Sequence, residues 1–325
     1  MTWDRFTRRT WLAFAVVLVL STAISALLFW RDEAVPRIRT DTIEVGRLPT
    51  DLALAGEDLW VAHAGDRQLL SIDPRRLGRP EVHRLDFPVL RVSALGPSVW
   101  ASGPERDTLV GLRERSPRII TQLPVARDAV DVAVTEDAVW VTNGSNGTVT
   151  RLDPLSGRRL GPPIRTGRFP SALAVGAGYV WVVNSGDGTV ARVDPREDVV
   201  VGRRLRVGAD PQAIVVGLGS VWVANRGDGT VTRLAATTGR PIGPPILVGG
   251  EPTALTVTTD GVLVLDSRDR WLLRLDRAGR VRRLAGLRGF PAGLAVDRAG
   301  AAWVVDTRSG TLTRVTPGRR GGGSG

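Results

Sequence analysis

The residue types that most often carry chemistry are scarce in this chain. Its 325 residues include two histidines, His63 and His83, and no cysteine. The lack of cysteine excludes disulfide bonds and thiolate metal sites. The remaining ionisable residues form no convincing catalytic constellation in the sequence. We therefore predict no catalytic residue, no metal site and no cofactor.

Short polar residues recur at regular intervals, where they can either shape turns or bind a ligand. One position carries Asn143, Asn184, Asn225, Asp266 and Asp306. Such side chains hydrogen-bond the backbone of a following turn, which is the structural interpretation. The functional interpretation is a ring of polar groups around one face. Asp187 and Asp228 lie in GDG turns and suggest calcium, but one carboxylate per turn is too few for a site of about six to eight oxygens.

The elements that position these residues follow from an internal repeat. The segments VWVTNGSNGTVTRLDP (139–154), VWVVNSGDGTVARVDP (180–195) and VWVANRGDGTVTRLAA (221–236) align without gaps. The repeat recurs every 40 or 41 residues, and its anchor position holds Trp60, Trp100, Trp140, Trp181, Trp222, Leu263 and Trp303. A period of about 40–45 residues with four strand patterns per unit is typical of a propeller blade. The sequence therefore predicts an all-β, seven-bladed β-propeller over residues 38–317.

The two ends of the repeat region predict how the ring closes. The last unit stops near Thr316 without an outer strand, whereas residues 38–46 are similar to the outer strands of other units. We expect residues 38–46 to pair with residues 311–316 and to complete the last blade, because this removes an open sheet edge. Residues 318–325 are interpreted as a flexible tail.

All basic residues are arginines, and the formal net charge is +11. This bias follows either from a GC-rich genome or from attraction to an anionic partner such as nucleic acid, a wall polymer or lipid headgroups. Five arginines recur in the third strand of the repeat: Arg151, Arg192, Arg233, Arg274 and Arg314. Strand alternation places them on one face, where we expect inter-blade hydrogen bonds and ion pairs rather than a ligand site.

A hydrophobic segment precedes the repeats. Residues 11–30 contain no charge, and about 20 apolar residues suffice for a helix to cross the bilayer core. Arginines precede the segment, so the positive-inside bias places residues 1–10 in the cytoplasm. We predict a single-pass transmembrane helix at 11–30, a linker at 31–37 and the propeller outside the cell membrane. A cleaved signal peptide, with a weak site at Ala23 and Ser25, is the alternative.

The repeat resembles the bacterial YVTN-type propellers and the related streptogramin lyase-like propellers. The matching features are the VWVxN strand, the GDGTVxR hairpin, the DP turn and the VGxxP blade junction, over residues 38–317. The resemblance implies a propeller fold, and for the lyases a metal held by histidine and glutamate near the channel mouth. His63 replaces the asparagine that ends the second strand elsewhere, and His83 falls in an outer strand. We interpret both as ordinary surface or turn histidines, so the lyase mechanism is not expected.

The predicted ligand-binding surface is the face of the second-to-third-strand turns and blade junctions. Both chain ends are expected on the opposite face, against the membrane. The turns vary most between repeats, and variation on a repeated scaffold is where a site can be specified. The candidate residues are Asp66, Arg67, Glu105, Arg106, Asn143, Asn184, Asp187, Asn225, Arg226, Asp228, Arg268, Asp269 and Arg308.

The sequence favours a non-enzymatic binding or scaffolding module outside the cytoplasm, anchored through residues 11–30. Its partner is an unidentified extracytoplasmic protein or polymer. The alternatives are a metal-dependent streptogramin lyase-like enzyme, or an extracytoplasmic binder of nucleic acid or an anionic polymer. Nucleic acid is not favoured, because few aromatic residues accompany the arginines. The sequence predicts no oligomeric state.

Overall fold

Seven antiparallel sheets make up the regular structure of the chain in a computed structural model that describes residues 39–96, 98–103, 108–113, 116–124 and 129–316. Each sheet is a blade, and its strands are called inner, second, third and outer by their order within the blade. The predicted all-β, seven-bladed architecture is confirmed. Within the described ranges no helix is long and apolar enough to cross a membrane. The predicted transmembrane helix at 11–30, its flanks 1–10 and 31–37, and the tail 318–325 lie outside these ranges.

The four strand positions repeat around the ring. The inner strands of blades 1 to 7 are Pro49–Ala55, Arg91–Leu95, Ala129–Val134, Pro170–Gly176, Pro211–Gly217, Pro252–Val257 and Pro291–Val296. The second strands are Asp58–His63, Ser98–Ser102, Val139–Asn143, Tyr179–Asn184, Ser220–Asn225, Gly261–Asp266 and Ala302–Asp306. The third strands are Gln68–Ile72, Thr108–Arg113, Thr148–Leu152, Thr189–Asp194, Thr230–Ala235, Trp271–Asp276 and Thr311–Thr316.

The outer strands are shorter and less regular. In blades 1 to 6 they are Glu81–Arg84, Ser116–Pro124, Ile164–Arg165, Leu205–Arg206, Ile246–Leu247 and Val281–Gly286. In blade 4 a second short strand, Val199–Val200, also pairs with the third strand. Blade 7 takes its outer strand, Arg39–Glu44, from the start of the described chain. The inner strands contact one another around the ring, and the inner strand of blade 1 contacts that of blade 7.

Tryptophan packing between blades supplies much of the core. Trp60 of blade 1 packs in a buried cluster with Val92 and Val99 of blade 2. Trp303 of blade 7 packs in the same way with Leu52 and Val61 of blade 1. The last blade is therefore joined to the first by the same kind of buried cluster. The second strands are apolar on both faces because each is covered by a neighbouring blade on each side. Truncating a buried aromatic of this kind costs about 3–5 kcal/mol.

Three of the five third-strand arginines join neighbouring blades, as predicted. Arg151 donates to the carbonyl oxygen of Pro195 at 2.7 Å, Arg192 to that of Thr237 at 3.2 Å, and Arg233 to that of Arg277 at 2.7 Å. Each acceptor lies in the next blade, 44 or 45 residues further on. The same guanidinium groups lie over the anchor tryptophans of their own blades, as the guanidinium of Arg233 does at 4.6 Å from the Trp222 ring. These arginines therefore serve the scaffold. Arg274 and Arg314 pair instead with Asp260 and Asp297 of their own blades.

Candidate functional site

One face of the ring, called the turn face here, carries the second-to-third-strand turns and the junctions between blades. The opposite face carries the ends of the described chain. Arg39 pairs with Thr316 at the end of the third strand of blade 7, away from the hairpin turn that precedes Thr311. The first and last described residues therefore lie together, opposite the turn face. This agrees with the expectation that both chain ends lie on the face opposite the turns.

The charged candidates of the described turns lie on the turn face. They are Asp66, Arg67, Asp187, Arg226, Asp228, Arg268, Asp269 and Arg308. Glu105 and Arg106, which were predicted alongside them, lie outside the described residues. The turn arginines interact with the adjacent junctions. Arg226 forms an ion pair with Asp210 at 2.6 Å, and the guanidinium of Arg308 lies 5.7 Å from the centre of the Phe290 ring.

Three of the turn aspartates have a structural task. The Oδ2 atom of Asp66 accepts the backbone N–H of Arg47 at 2.6 Å, and Asp187 accepts that of Arg168 at 2.7 Å. Asp228 accepts the N–H of Ala209 at 2.5 Å. In each case the donor lies 19 residues earlier, in the junction that leads into the blade. These carboxylates connect the turns to the junctions, and this repeated backbone contact gives the turn aspartates a structural role.

The asparagines predicted as ligand contacts are buried instead. Asn143, Asn184 and Asn225 are at most 1% exposed. The Nδ2 atom of Asn225 donates to the hydroxyls of Thr230 and Thr232, and its Oδ1 accepts the N–H of Gly208 at 3.1 Å. A Cβ atom at Gly208 would lie 2.6 Å from the Cγ of Asn225, so the junction glycine permits this close approach. Turn formation therefore explains why asparagine recurs at this position.

The histidines are buried as well, so their interpretation as surface or turn residues is wrong. His83 stacks on Trp60 with ring centres 4.7 Å apart, and its Nε2 lies 3.1 Å from the Ser71 hydroxyl. His63 Nδ1 lies 3.4 Å from the carbonyl oxygen of Arg47. Burial lowers the pKa of both imidazoles, which favours their neutral forms. The exposure of His83 was misjudged because Trp60 stacks on its ring, and that of His63 because the junction residue Arg47 lies against it.

A group of charged residues that sequence reasoning missed lies at the central axis. One inner-strand position carries Asp51, Arg91 and Asp131 in blades 1, 2 and 3. In blades 4 to 7 the same position holds Ala172, Ala213, Ala254 and Gly293. The inner strands surround the axis, so the charges are concentrated on one side of the channel, near the turn face. Aligning the repeats on their tryptophans, nine residues upstream, would have found Asp51, Arg91 and Asp131.

The axial carboxylates bridge blades and have perturbed acidity. Asp51 accepts the N–H of Val92 at 3.1 Å, and Asp131 accepts that of Leu173 at 2.9 Å, each in the next blade. Burial, helped by repulsion from Asp131, raises the pKa of Asp51 to about 6, although Arg91 acts in the opposite direction. Burial also raises the pKa of Asp131. The Asp51 carboxyl can therefore bind and release a proton near pH 6.

A cleft on the turn face separates blades 3 and 4. Its volume is about 580 Å³, which is within the range for small-molecule sites. This interblade cleft is lined by Gly144, Ser145, Asn146, Gly147, Arg165, Gly167, Arg168, Phe169, Gly186, Asp187 and Arg204. Arg204 donates through Nε to the carbonyl oxygen of Thr166, and Phe169 is 53% exposed. Of these lining residues, the sequence had singled out only Asp187.

Among groups of histidine, aspartate and glutamate in the described part of the chain, none is arranged to hold a metal ion.

No protein-family model and no curated protein matches the chain. Solved structures do. A streptogramin B lyase superposes with a TM-score of 0.73 at 14% identity, covering 86% of this chain and 97% of the lyase. Virginiamycin B lyase from Staphylococcus aureus gives a TM-score of 0.74 at 14% identity and the same coverage of this chain, with 99% of that chain covered.

The hydrazine synthase of Kuenenia stuttgartiensis is also similar, with a TM-score of 0.74 at 11% identity, covering 85% of this chain and 97% of that chain. The structural similarity therefore supports the resemblance to streptogramin lyase-like propellers. At 11–14% sequence identity, this structural similarity shows a shared fold and nothing further. The neighbours differ from one another in name and activity, so the chemistry of this chain has to be argued from its own residues.

Proposed function

We propose that this protein is a membrane-anchored binding module outside the cytoplasm and that the turn face is its binding surface. The observation that carries the proposal is the pairing of Arg39 with Thr316, which puts both described ends on the face opposite the turns. With a membrane helix at residues 11–30, the linker 31–37 spans at most about 23 Å when extended. The face of the chain ends then lies near the bilayer, and the turn face points away from it.

The face opposite the turns has a charge pattern suited to a membrane surface. Its third-to-outer-strand turns carry Arg75, Arg76, Arg158, Arg159, Arg196, Arg240 and Arg280. Basic residues near a bilayer are attracted to anionic headgroups. The turn face has mixed charge and exposed apolar residues, including Leu48 and Phe290 at 48% and 58% exposure. This mixture suits a polar organic partner better than a lipid surface.

A variant pair tests which face binds. The full chain in detergent is screened against peptides, wall polymers, nucleic acids and metal ions, and each ligand found is titrated into two double variants. We expect Arg226→Ala with Arg268→Ala to weaken binding, and Arg158→Ala with Arg159→Ala to leave it unchanged. The reverse result would move the site to the membrane-facing side. Steep loss of affinity with salt would identify an anionic polymer as the partner.

Acid–base catalysis at the channel mouth is a second candidate function, and the axial group Asp51, Arg91 and Asp131 is the observation that favours it. A carboxyl group with a pKa near 6 can both donate and accept a proton at neutral pH. A similar fold occurs in a catalytically inactive variant of virginiamycin B lyase solved with quinupristin. Incubation of this chain with quinupristin, followed by mass spectrometry, is the test. Cleavage that is lost in Asp51→Asn would establish catalysis, and an intact compound would leave the binding module as the function.

A further inference from the structure

The interblade cleft between blades 3 and 4 differs from the neighbouring junction in charge although the backbones are equivalent. Arg165 pairs with Thr148 as Arg206 pairs with Thr189 in blade 4. Arg168 donates its N–H to Asp187 as Ala209 donates to Asp228. The shared carboxylate contact belongs to the fold. The side chains that differ between the junctions are therefore free to specify a ligand.

The differences concentrate positive charge in one cleft. Arg168, Phe169 and Arg204 of this cleft correspond to Ala209, Asp210 and Pro245 of the next junction. The cleft lining has three guanidinium groups and one carboxylate, a formal charge of +2. At the next junction the equivalent positions hold one arginine, Arg206, and three carboxylates, a formal charge of −2, and one of these carboxylates, Asp210, is paired with Arg226. The blade fold therefore does not require the excess charge of the cleft.

The geometry of the lining indicates one class of ligand. Arg204 is anchored through its Nε atom to the Thr166 carbonyl oxygen, which fixes its guanidinium group at the cleft wall. Guanidinium groups match the oxygens of phosphate and carboxylate through parallel hydrogen bonds. The exposed ring of Phe169 offers an apolar surface beside them. A dianion neutralises the lining charge, and an attached aromatic or apolar group covers the ring.

We propose that the interblade cleft binds an organic phosphate monoester, with the phosphate on Arg165, Arg168 and Arg204 and the organic group on Phe169. The proposal rests on the proposed function, because it names the ligand class for the turn face. A phosphate monoester carries a charge between about −1.5 and −2 at neutral pH and presents three acceptor oxygens. A phosphodiester, as in a wall polymer or nucleic acid, carries one charge per phosphate and fits the lining charge less well.

Calorimetric titration of phenyl phosphate into the full chain in detergent tests this assignment. We expect saturable binding that is weakened about a hundredfold by Arg168→Ala with Arg204→Ala, since each lost charged hydrogen bond costs about tenfold. Arg158→Ala with Arg159→Ala, two exposed arginines on the opposite face, is the control and should leave the affinity unchanged. The Arg168→Ala change installs the residue type that Ala209 already provides at the equivalent position, so folding should be retained.

Further titrations separate the parts of the ligand. Phe169→Ala should weaken the binding of phenyl phosphate and leave the binding of inorganic phosphate unchanged. Dimethyl phosphate, a diester, should bind more weakly than the monoester. The proposal is overturned if no saturable binding occurs, if both arginine pairs have equal effects, or if the diester binds as tightly as the monoester. If another partner is found whose binding is weakened by Arg226→Ala with Arg268→Ala, the proposed function would still hold, and only the assignment of this ligand would fail.

Discussion

Arg39, the first residue of the described chain, is the antiparallel partner of Thr316, the last. The ladder continues to Glu44 and Thr311, and the hydroxyls of Thr42 and Thr313 lie 3.2 Å apart. At its turn-face end the N–H of Val45 donates to the carbonyl oxygen of Gly310 at 2.8 Å. The chain has no cysteine, so this sheet closes the ring without a disulfide bond. Val45, Trp303 and Leu312 are buried together in the cluster that packs against the sheet.

Deletion of residues 38–46 should destabilise the whole ring. It removes the outer strand of blade 7 and uncovers the cluster around Trp303. We expect the melting temperature of the full chain to fall by about 10 °C or more, equivalent to several kcal/mol. Deletion of residues 318–325 serves as the control and should have no effect. An equal melting temperature for the 38–46 deletion and the intact chain would refute closure by this strand.

The raised pKa of Asp51 predicts a pH dependence of stability. A carboxyl group whose pKa rises from 3.8 to about 6 on folding stabilises the folded state below the unfolded value and loses that contribution as the pH rises through 6. The full effect is about 3 kcal/mol, which partial solvent access reduces to about 1–2 kcal/mol. We expect Asp51→Asn to gain stability relative to the wild type between pH 4.5 and 7.5, measured by denaturant unfolding.

Asp153→Asn is the control for that experiment because the pKa of Asp153 is shifted in the opposite direction from that of Asp51. Hydrogen bonds from Ser156 lower the pKa of Asp153, so its carboxylate stabilises the fold at neutral pH and loses this contribution as the pH falls. Because this titration lies below the ordinary pKa of 3.8, the stability of this variant relative to the wild type should stay nearly constant between pH 4.5 and 7.5 and change in the other direction only at lower pH. Identical pH profiles for Asp51→Asn and the wild type would show that Asp51 titrates as an ordinary exposed residue.

Asn184→Ala distinguishes a structural asparagine from a ligand contact. The buried Nδ2 atom of Asn184 donates to the Thr166 carbonyl oxygen at 3.3 Å and to the Thr189 hydroxyl at 3.2 Å. Its loss removes both hydrogen bonds from a buried site, at a cost of about 1–3 kcal/mol. We expect thermal unfolding to shift downward by several degrees, whereas Asn146→Ala in the exposed turn of blade 3 should cause no shift. An unchanged unfolding curve for Asn184→Ala would restore the ligand interpretation.

The architecture could be predicted because its determinants are local and repeated. The spacing of Trp60 and its equivalents counts the blades, and the missing outer strand of the last unit identifies its partner. The role of Asn184 was ambiguous, since an amide at a strand end can face solvent or a turn. Coverage by the adjacent junction, with Gly167 against its side chain, makes it structural.

The candidate sites were harder to predict because they combine residues from different repeats. Asp51, Arg91 and Asp131 are single residues in separate units, and only the ring brings them to one side of the axis. The cleft likewise joins Arg168 of one junction to Arg204 of the next blade. His83 was misjudged because its outer strand was expected to be exposed, whereas stacking on Trp60 buries it.

Arg233→Ala tests the arginine contacts between blades. Arg233 donates to the Ser220 hydroxyl at 2.9 Å and to the Arg277 carbonyl oxygen of the next blade at 2.7 Å, above the Trp222 ring. Losing these contacts should reduce the unfolding free energy by about 1–3 kcal/mol. Arg240→Ala, in an exposed turn of the same blade, should cost less than about 0.5 kcal/mol. Equal losses for the two variants would assign Arg233 no special role.

The central claim is that the turn face points away from the membrane, and distance-dependent quenching measures it directly. The chain has no cysteine, so Ser145→Cys on the turn face and Leu155→Cys on the opposite face each provide one labelling site. These exposed positions lie beyond the two ends of the same third strand, Thr148–Leu152. The full chain is labelled with a fluorophore and reconstituted into vesicles that contain a headgroup-linked quencher. We expect strong quenching at position 155 and weak quenching at position 145. Equal quenching, or stronger quenching at position 145, would contradict the claim.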